Sequence, residues 1–229
     1  SYSTKKQVRW GMIYRSAEID SLECYSRREL RNLGIKTLID LRASSETGRQ
    51  SPLQKEFNVV HIPLATGDME NILKGIREEK IKSDTVYRMV EQMNRDLIDK
   101  YTTEYRQIFD ILLDKNSYPV VIHCSSGKGR TGIVSALVLA ALGINEDIIM
   151  EDYRLSNDYF NIPSASKDAY QLPARSQEAI TTLFSAREDF LNAAKEEAER
   201  RYGDIDSYLQ KGIGLNKDEI KRLRSILLS

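Results

Sequence analysis

The sequence has little cysteine and little histidine. Of its 229 residues, two are cysteine and two are histidine. Two cysteines cannot build the framework of disulfides that holds small secreted domains together. So few cysteines and histidines also argue against a zinc site made from those ligands. The sequence therefore predicts a fold that is stabilised by its hydrophobic core, without a metal or a disulfide framework.

Long apolar runs and net charge are also missing. No run reaches the roughly 18 apolar residues of a membrane-spanning helix, so no transmembrane segment is predicted. The 34 basic and 34 acidic side chains cancel, which argues against a nucleic-acid partner. Residues 1–7 are polar and lack the apolar core of a signal peptide. We expect a cytoplasmic protein, or a secreted one if an upstream segment has been removed.

The patterning of apolar residues indicates the fold class. A hydrophobic content of 41% is enough for one substantial core, so residues 1–229 are predicted to form a single domain. The β-branched segments 35–41, 57–63 and 119–122 are typical of strands, and most of the intervening sequence has helical periodicity. Residues 178–202 are predicted to form one long charged helix. This alternation predicts an α/β fold with a mainly parallel central sheet flanked by helices.

The most informative stretch is residues 123–132, which reads His-Cys-Ser-Ser-Gly-Lys-Gly-Arg-Thr-Gly. It follows the predicted strand 119–122 and precedes residues 133–140, an apolar segment typical of a buried helix. A loop of small residues between a strand and a helix N-terminus directs several backbone N–H groups at one point, which makes an anion site. Cys124 and Arg130 form a Cys-x5-Arg pattern in this loop, which combines a thiol nucleophile with a guanidinium.

This loop contains the groups that a thiolate needs to hydrolyse a phosphate monoester. Cationic neighbours and a helix N-terminus lower a cysteine pKa from its usual value of about 8.5. Cys124 is therefore predicted to attack phosphorus as a thiolate and to form a phosphocysteine that water then cleaves. Arg130 offers a planar fork to two phosphate oxygens. Thr131 is expected to donate its hydroxyl to the sulfur and His123 to hold the loop, and no metal or cofactor is needed.

The other loop residues are predicted to bind the phosphate of the substrate. Glycines let the backbone curl tightly around an anion, and the loop carries a second cation besides the arginine. The predicted phosphate-binding residues are Ser125, Ser126, Gly127, Lys128, Gly129 and Arg130. The loop is not a nucleotide-binding P-loop, which would need glycine in place of Ile122 and a hydroxyl residue in place of Gly129.

The leaving oxygen needs a proton donor, usually an aspartate outside the loop. In parallel sheets, ligands bind beyond the carboxyl ends of the strands, and Asp40 ends a predicted strand there. Asp40 is therefore predicted to be the general acid, with Asp68 on a glycine-containing loop as the main alternative and Asp152 and Asp158 as further ones. Arg42 is expected either to hold this acid or to face the substrate.

A possible lid follows the loop in the chain. Residues 159–184 contain two prolines and have weak periodicity, and they come two elements after the loop. We predict that they cover the pocket, and a plain surface loop is the alternative.

The loop resembles that of a known family. Its pattern, His-Cys-x-x-Gly-Lys-x-Arg-Thr-Gly, is similar to that of the tyrosine/serine protein phosphatases of bacteria. Segments 15–18, 40–42, 152–157 and 202–209 also resemble landmarks of that family. The resemblance implies a phosphotyrosine-phosphatase-like α/β fold and a phosphorylated protein as partner. It implies activity on phosphotyrosine, often on phosphoserine and phosphothreonine, and in some members on phosphoinositides.

Gly129 departs from the family pattern, because many members carry Asp between the Lys and the Arg. With glycine, the loop also resembles the Gly-Lys-Gly-Arg loop of tumour-suppressor-type 3-phosphoinositide phosphatases, in which case Lys128 would meet a second phosphate. Activity on phosphoinositides or inositol phosphates therefore stays open. An inactive phosphate-binding module is the alternative outside the enzymes, and the presence of Cys124, Arg130 and Thr131 disfavours it.

Overall fold

The computed structural model describes residues 7–19, 24–47, 52–162 and 168–229. Its centre is a sheet of four strands, β1 (Ile13–Ser16), β2 (Thr37–Asp40), β3 (Asn58–His61) and β4 (Val120–His123). All neighbouring strands are parallel and their order is β1-β4-β2-β3. Strands β2 and β3 lie within the predicted segments 35–41 and 57–63, and β4 extends the predicted segment 119–122 by one residue, His123. The parallel sheet confirms the predicted α/β fold.

The described residues form eleven α-helices, which flank the sheet. In chain order they are α1 (Cys24–Asn32), α2 (Met69–Arg77), α3 (Ser83–Lys100), α4 (Thr102–Leu112), α5 (Gly129–Leu142), α6 (Glu146–Arg154), α7 (Ser156–Tyr159), α8 (Ala174–Phe184), α9 (Glu188–Tyr202), α10 (Ile205–Ser207) and α11 (Lys217–Leu227). Within the described ranges, none of these helices combines the length and the apolar character needed to cross a membrane.

The strand and helix on either side of the loop are the most deeply buried elements. All four residues of β4 are buried, because this strand lies inside the sheet between β1 and β2. Most residues of α5 are buried too, since the helix packs against β1, α3, α6 and α11. A helix that is apolar on all sides needs such neighbours. The loop between β4 and α5 is therefore held at both ends by rigid parts of the core.

The register of the strands brings polar residues together at one edge. His123 pairs in register with Ser16 on one side and with Asp40 on the other, and Asp40 pairs with His61. These four residues are the last of their strands, so they form one row at the carboxyl edge of the sheet. This row lies directly below the loop that starts at Cys124.

One predicted element is wrong. Residues 178–202 do not form a single helix, because α8 ends at Phe184 and α9 begins at Glu188. At the break, the side chain of Asn157 accepts a hydrogen bond from Ala186 N at 2.7 Å and donates one to Ala186 O at 3.0 Å. These bonds satisfy the backbone groups that the helix would otherwise use. A partner distant in sequence stabilises the break, and the local periodicity therefore did not reveal it.

Candidate active site

The loop is shaped by its contact with the end of β1. Gly127 has a φ of +67°, and a Cβ atom built on it would lie 2.6 Å from Ala17 N and 2.7 Å from Ser16 O. Only glycine fits this approach of two backbones, and it also accepts the left-handed conformation without strain. Glu18 N donates a hydrogen bond to Ser125 O at 3.2 Å, which fixes the opposite side of the loop.

Arg15 ties the loop to the helices beside it. Its Nη1 lies 2.7 Å from Asp152 Oδ2, and its Nη2 donates to Ser156 Oγ at 2.6 Å and to Gly127 O at 3.3 Å. Two segments that the sequence resemblance singled out, 15–18 and 152–157, therefore meet here. Through Arg15, Asp152 helps to hold the loop in position.

Cys124 lies buried at the start of the loop, with 1% of its surface exposed. Its Sγ accepts a hydrogen bond from Thr131 Oγ1 at 3.2 Å, which is the contact expected of that threonine. Burial raises the pKa of the Cys124 thiol, but the Arg130 charge, the Thr131 hydroxyl and the backbone N–H groups of Thr131 and Gly127 outweigh it. The net effect is a lowered pKa, which favours the nucleophilic thiolate.

Arg130 is buried and its guanidinium is held from several sides. Its Nη1 and Nη2 donate to the carboxylate of Glu46 at 2.5 and 2.8 Å, and Nη1 also donates to Leu64 O at 3.2 Å. Ser125 Oγ donates to Glu46 Oε1 at 2.6 Å. Burial raises the pKa of Glu46, but its bonds to Arg130 and Ser125 outweigh burial and lower that pKa to about 2. A permanent carboxylate therefore fixes the arginine.

Glu46 was not predicted as a site residue. In the sequence it is one acidic residue in a polar segment that follows the second strand. The signal that the sequence offers is position: Glu46 lies four residues after Arg42, in the segment that leaves the carboxyl edge of the sheet, where ligands bind. That signal does not distinguish it from its polar neighbours.

A small cavity of about 80 Å³ lies above the loop. The loop contributes Ser126, Lys128, Gly129 and Arg130 to its lining. Apolar side chains of α2, α3 and α9 form much of the remaining wall, including Met69, Met93, Leu97 and Phe190. Among the described residues that line the cavity, none carries a carboxylate.

Lys128 closes the cavity together with residues of the predicted lid. Its Nζ donates to Leu183 O at 3.1 Å and lies 5.8 and 5.5 Å from the ring centres of Phe160 and Phe184. The two rings stack with their centres 5.2 Å apart. Burial lowers the pKa of Lys128 to about 7, although the nearby Cys124 thiolate opposes this effect. Residues 163–167 of the predicted lid lie outside the described residues.

Comparison with known proteins identifies the family to which this arrangement corresponds. A family model described as the tyrosine phosphatase family matches residues 1–229. The chain belongs to the tyrosine phosphatase family.

Individual relatives agree with this assignment. The chain is 29% identical to the triple specificity protein phosphatase PtpB of Mycobacterium tuberculosis, over 98% of the chain and 94% of that protein. It is 24% identical to a putative tyrosine-protein phosphatase of Cupriavidus necator, with 94% and 79% covered. It is 25% identical to a tyrosine-protein phosphatase of Nostoc commune, with 92% and 72% covered. The chain is accordingly a hydrolase of the cysteine-based protein tyrosine phosphatase type.

The environment of Asp40 favours its ionised form. Its Oδ1 accepts hydrogen bonds from Arg42 N and Nε at 3.0 Å, and its Oδ2 accepts one from Arg42 Nη2 at 2.7 Å. Burial raises the pKa of Asp40, but these bonds and the charges of His123 and Arg42 outweigh it and lower that pKa. A general acid must instead be protonated when substrate is bound. We infer that Asp40 is a structural carboxylate.

Arg42 takes the first of the two roles predicted for it. It holds Asp40, and its Nη1 also lies 3.4 Å from Glu18 Oε1. Its side chain is 2% exposed and is not part of the lining of the cavity above the loop. The pair stabilises the carboxyl edge of the sheet on which the phosphate loop stands.

The alternative acids are also placed away from the cavity lining. Asp68 is exposed and caps α2, where its Oδ1 accepts a hydrogen bond from Asn71 N at 3.0 Å. Asp158 is an exposed residue of α7, and Asp152 pairs with Arg15. The structure does not bring a predicted acid to the cavity.

Substitution of Asp40 by asparagine tests its role. We expect Asp40→Asn to reduce turnover of a good aryl leaving group and of a poor alkyl one by similar factors. We also expect it to lower the free energy of unfolding by on the order of 3 kcal/mol, because a buried ion pair is broken. Steady-state kinetics and denaturant unfolding measure both effects. A loss confined to the alkyl substrate would show that Asp40 is the acid after all.

Proposed function

We propose that this phosphatase hydrolyses phosphotyrosine, phosphoserine and phosphothreonine in proteins through a phosphocysteine on Cys124. The observation that carries the proposal is the buried thiol with a lowered pKa, at the foot of an anion loop that ends in Arg130. The name of the mycobacterial relative, a triple specificity protein phosphatase, supports a range of substrates wider than phosphotyrosine. The expected partner is a phosphorylated protein.

The residues of the loop divide the work of the two chemical steps. The backbone N–H groups of the loop and the guanidinium of Arg130 hold the phosphoryl oxygens while Cys124 attacks phosphorus. Thr131 donates a hydrogen bond to the sulfur at 3.2 Å. This bond stabilises the thiolate again when water cleaves the phosphocysteine. Glu46 orients the fork of Arg130 before the substrate binds.

We propose that the whole chain is one phosphatase domain and that residues 159–184 act as its lid. The match of the family model to residues 1–229 supports the single domain. Contacts of Lys128 with Leu183 O and with the rings of Phe160 and Phe184 support the lid. A cavity of about 80 Å³ is small beside the roughly 300–1,000 Å³ of typical ligand pockets, so we expect this segment to move when a phosphotyrosine side chain binds.

Phosphoinositides are a second candidate substrate. The cavity is lined by two cationic side chains, Lys128 and Arg130, and by no carboxylate among the described lining residues. Two cations are suited to a headgroup with more than one phosphate. The shared Gly-Lys-Gly-Arg sequence supports the same possibility.

One panel of substrates tests both candidates. We expect the protein to release phosphate from phosphotyrosine and phosphoserine peptides in excess chelator, and Cys124→Ser to reduce the rate by at least about 10³-fold. Vesicles that contain phosphoinositides form the second arm of the panel. Turnover of the vesicles alone would assign the protein to lipids. No turnover of any substrate, with inorganic phosphate still bound, would indicate a phosphate-binding module.

A further inference from the structure

The described active site leaves the source of the leaving-group proton unassigned. An alkoxide such as the serine oxygen leaves poorly unless a positioned group protonates it, and this protonation typically contributes a factor of about 10²–10⁴. Asp40, Asp68 and Asp152 are engaged by Arg42, by Asn71 N and by Arg15, respectively. None of them lines the cavity above the loop.

Lys128 is an ionisable residue of the loop itself that lines this cavity. It lies in the phosphate loop four residues after Cys124, and it lines the same cavity as Arg130. Its side chain is 5% exposed and is surrounded by apolar rings and a backbone carbonyl. A lysine buried without a carboxylate partner loses its proton far more easily than an exposed one.

We propose that Lys128 is the acid and base of the reaction proposed above. In the first step, Cys124 forms the S–P bond, the P–O bond breaks, and the Lys128 ammonium gives a proton to the leaving oxygen. In the second step, the neutral amine takes a proton from the water that attacks phosphorus. The P–S bond then breaks, and the thiolate and the ammonium are both restored. Protons and electrons balance over the cycle.

The charged and titratable groups around Lys128 are consistent with this role. Cys124 and Arg130 face it from the loop, and Tyr153 from α6 lines the same cavity. Burial holds the pKa of Tyr153 well above its usual range, so that phenol stays neutral. The lining residues that α2, α3 and α9 contribute are uncharged. An incoming phosphate dianion adds its negative charge to that of the Cys124 thiolate, and it favours the protonated amine when the donor is needed.

The lowered pKa of Lys128 sets the expected pH dependence of the reaction rate. The pKa of Lys128 is lowered to about 7, so the ammonium predominates below that pH and the neutral amine above it. The free enzyme loses its acid as the pH rises through this value. We therefore expect kcat/KM for a poor leaving group to fall above pH 7, and kcat to fall at a higher pH because bound phosphate raises the pKa.

The test compares leaving groups within each variant. Phenyl phosphate has a poor leaving group and 4-nitrophenyl phosphate a good one, and the ratio of their rates does not depend on how much protein is folded. We expect Lys128→Met to reduce turnover of phenyl phosphate by about 10²-fold or more, and of 4-nitrophenyl phosphate by less than about tenfold. Lys128→Arg keeps the charge but does not release a proton near neutral pH. It should show the same altered ratio, with KM close to the original value.

The control variant is Lys221→Met, because Lys221 is an exposed residue of α11. It should keep the original ratio and pH profile. If both Lys128 variants kept the ratio of phenyl phosphate to 4-nitrophenyl phosphate turnover of the unmodified protein, the proposal would be overturned. Lys128 would then have an electrostatic role only. That result differs from failure of the proposed function, in which the unmodified protein would turn over neither substrate.

Discussion

Replacement of Gly127 by alanine is expected to abolish phosphate hydrolysis and to lower the free energy of unfolding by about 3 kcal/mol or more. The added Cβ would lie 2.6 Å from Ala17 N and 2.7 Å from Ser16 C and O. These are backbone atoms at the end of β1, so they cannot turn aside as a flexible side chain would. The φ of +67° adds strain for any residue with a Cβ.

Gly129 provides the matched control for this substitution. It opens α5, and a Cβ built on it has no atom within 4 Å. We expect the free energy of unfolding of Gly129→Ala to lie within about 1 kcal/mol of that of the original protein, since alanine favours helix. Denaturant unfolding measures this contrast in stability. Equal stabilities of the two alanine variants would contradict the description of the loop given above.

Replacement of Arg130 by lysine is expected to reduce turnover by about 10³-fold, or roughly 4 kcal/mol of transition-state stabilisation, although the charge is kept. The guanidinium donates to both oxygens of Glu46 and to Leu64 O at once, and a bound phosphate would compete with Glu46 for the same planar fork. An ammonium has neither the reach nor the fork geometry to replace these bonds.

Arg106→Lys is a suitable control, because Arg106 also forms a two-pronged pair, with Glu219, at 2.9 and 2.6 Å. This pair joins α4 to α11 and has no part in the phosphate loop. We expect Arg106→Lys to keep full turnover and to change the free energy of unfolding by at most about 1 kcal/mol. Kinetics on 4-nitrophenyl phosphate measure both variants. Turnover of Arg130→Lys within tenfold of the original would show that charge alone is sufficient.

The nucleophile loop could be predicted from the sequence because all its parts are contiguous. A β-branched run, a cysteine, small residues, an arginine and an apolar helix follow one another in residues 119–140. Local preferences therefore specify both the strand–loop–helix unit and the groups within it. The same local patterning predicted the α/β class, which the parallel sheet and the family match confirm.

The environment of each charged residue could not be predicted in this way. The sequence placed Asp40 at the correct edge of the sheet, but its pairing with Arg42 depends on how the chain turns after β2. Glu46 meets Arg130 from 84 residues away, and Lys128 meets Leu183 from 55 residues away. Such contacts decide which side chains lose their solvent and which gain a counter-charge.

The sequence by itself determined the fold class and the chemistry available to the loop, since both depend on residues that are neighbours in the chain. The tertiary structure decided how that chemistry is tuned. It paired Asp40 with Arg42, fixed Arg130 through Glu46 and buried Lys128 beneath residues 160 and 183–184. The physical reason is that a pKa depends on burial and nearby charge, and distant segments supply both.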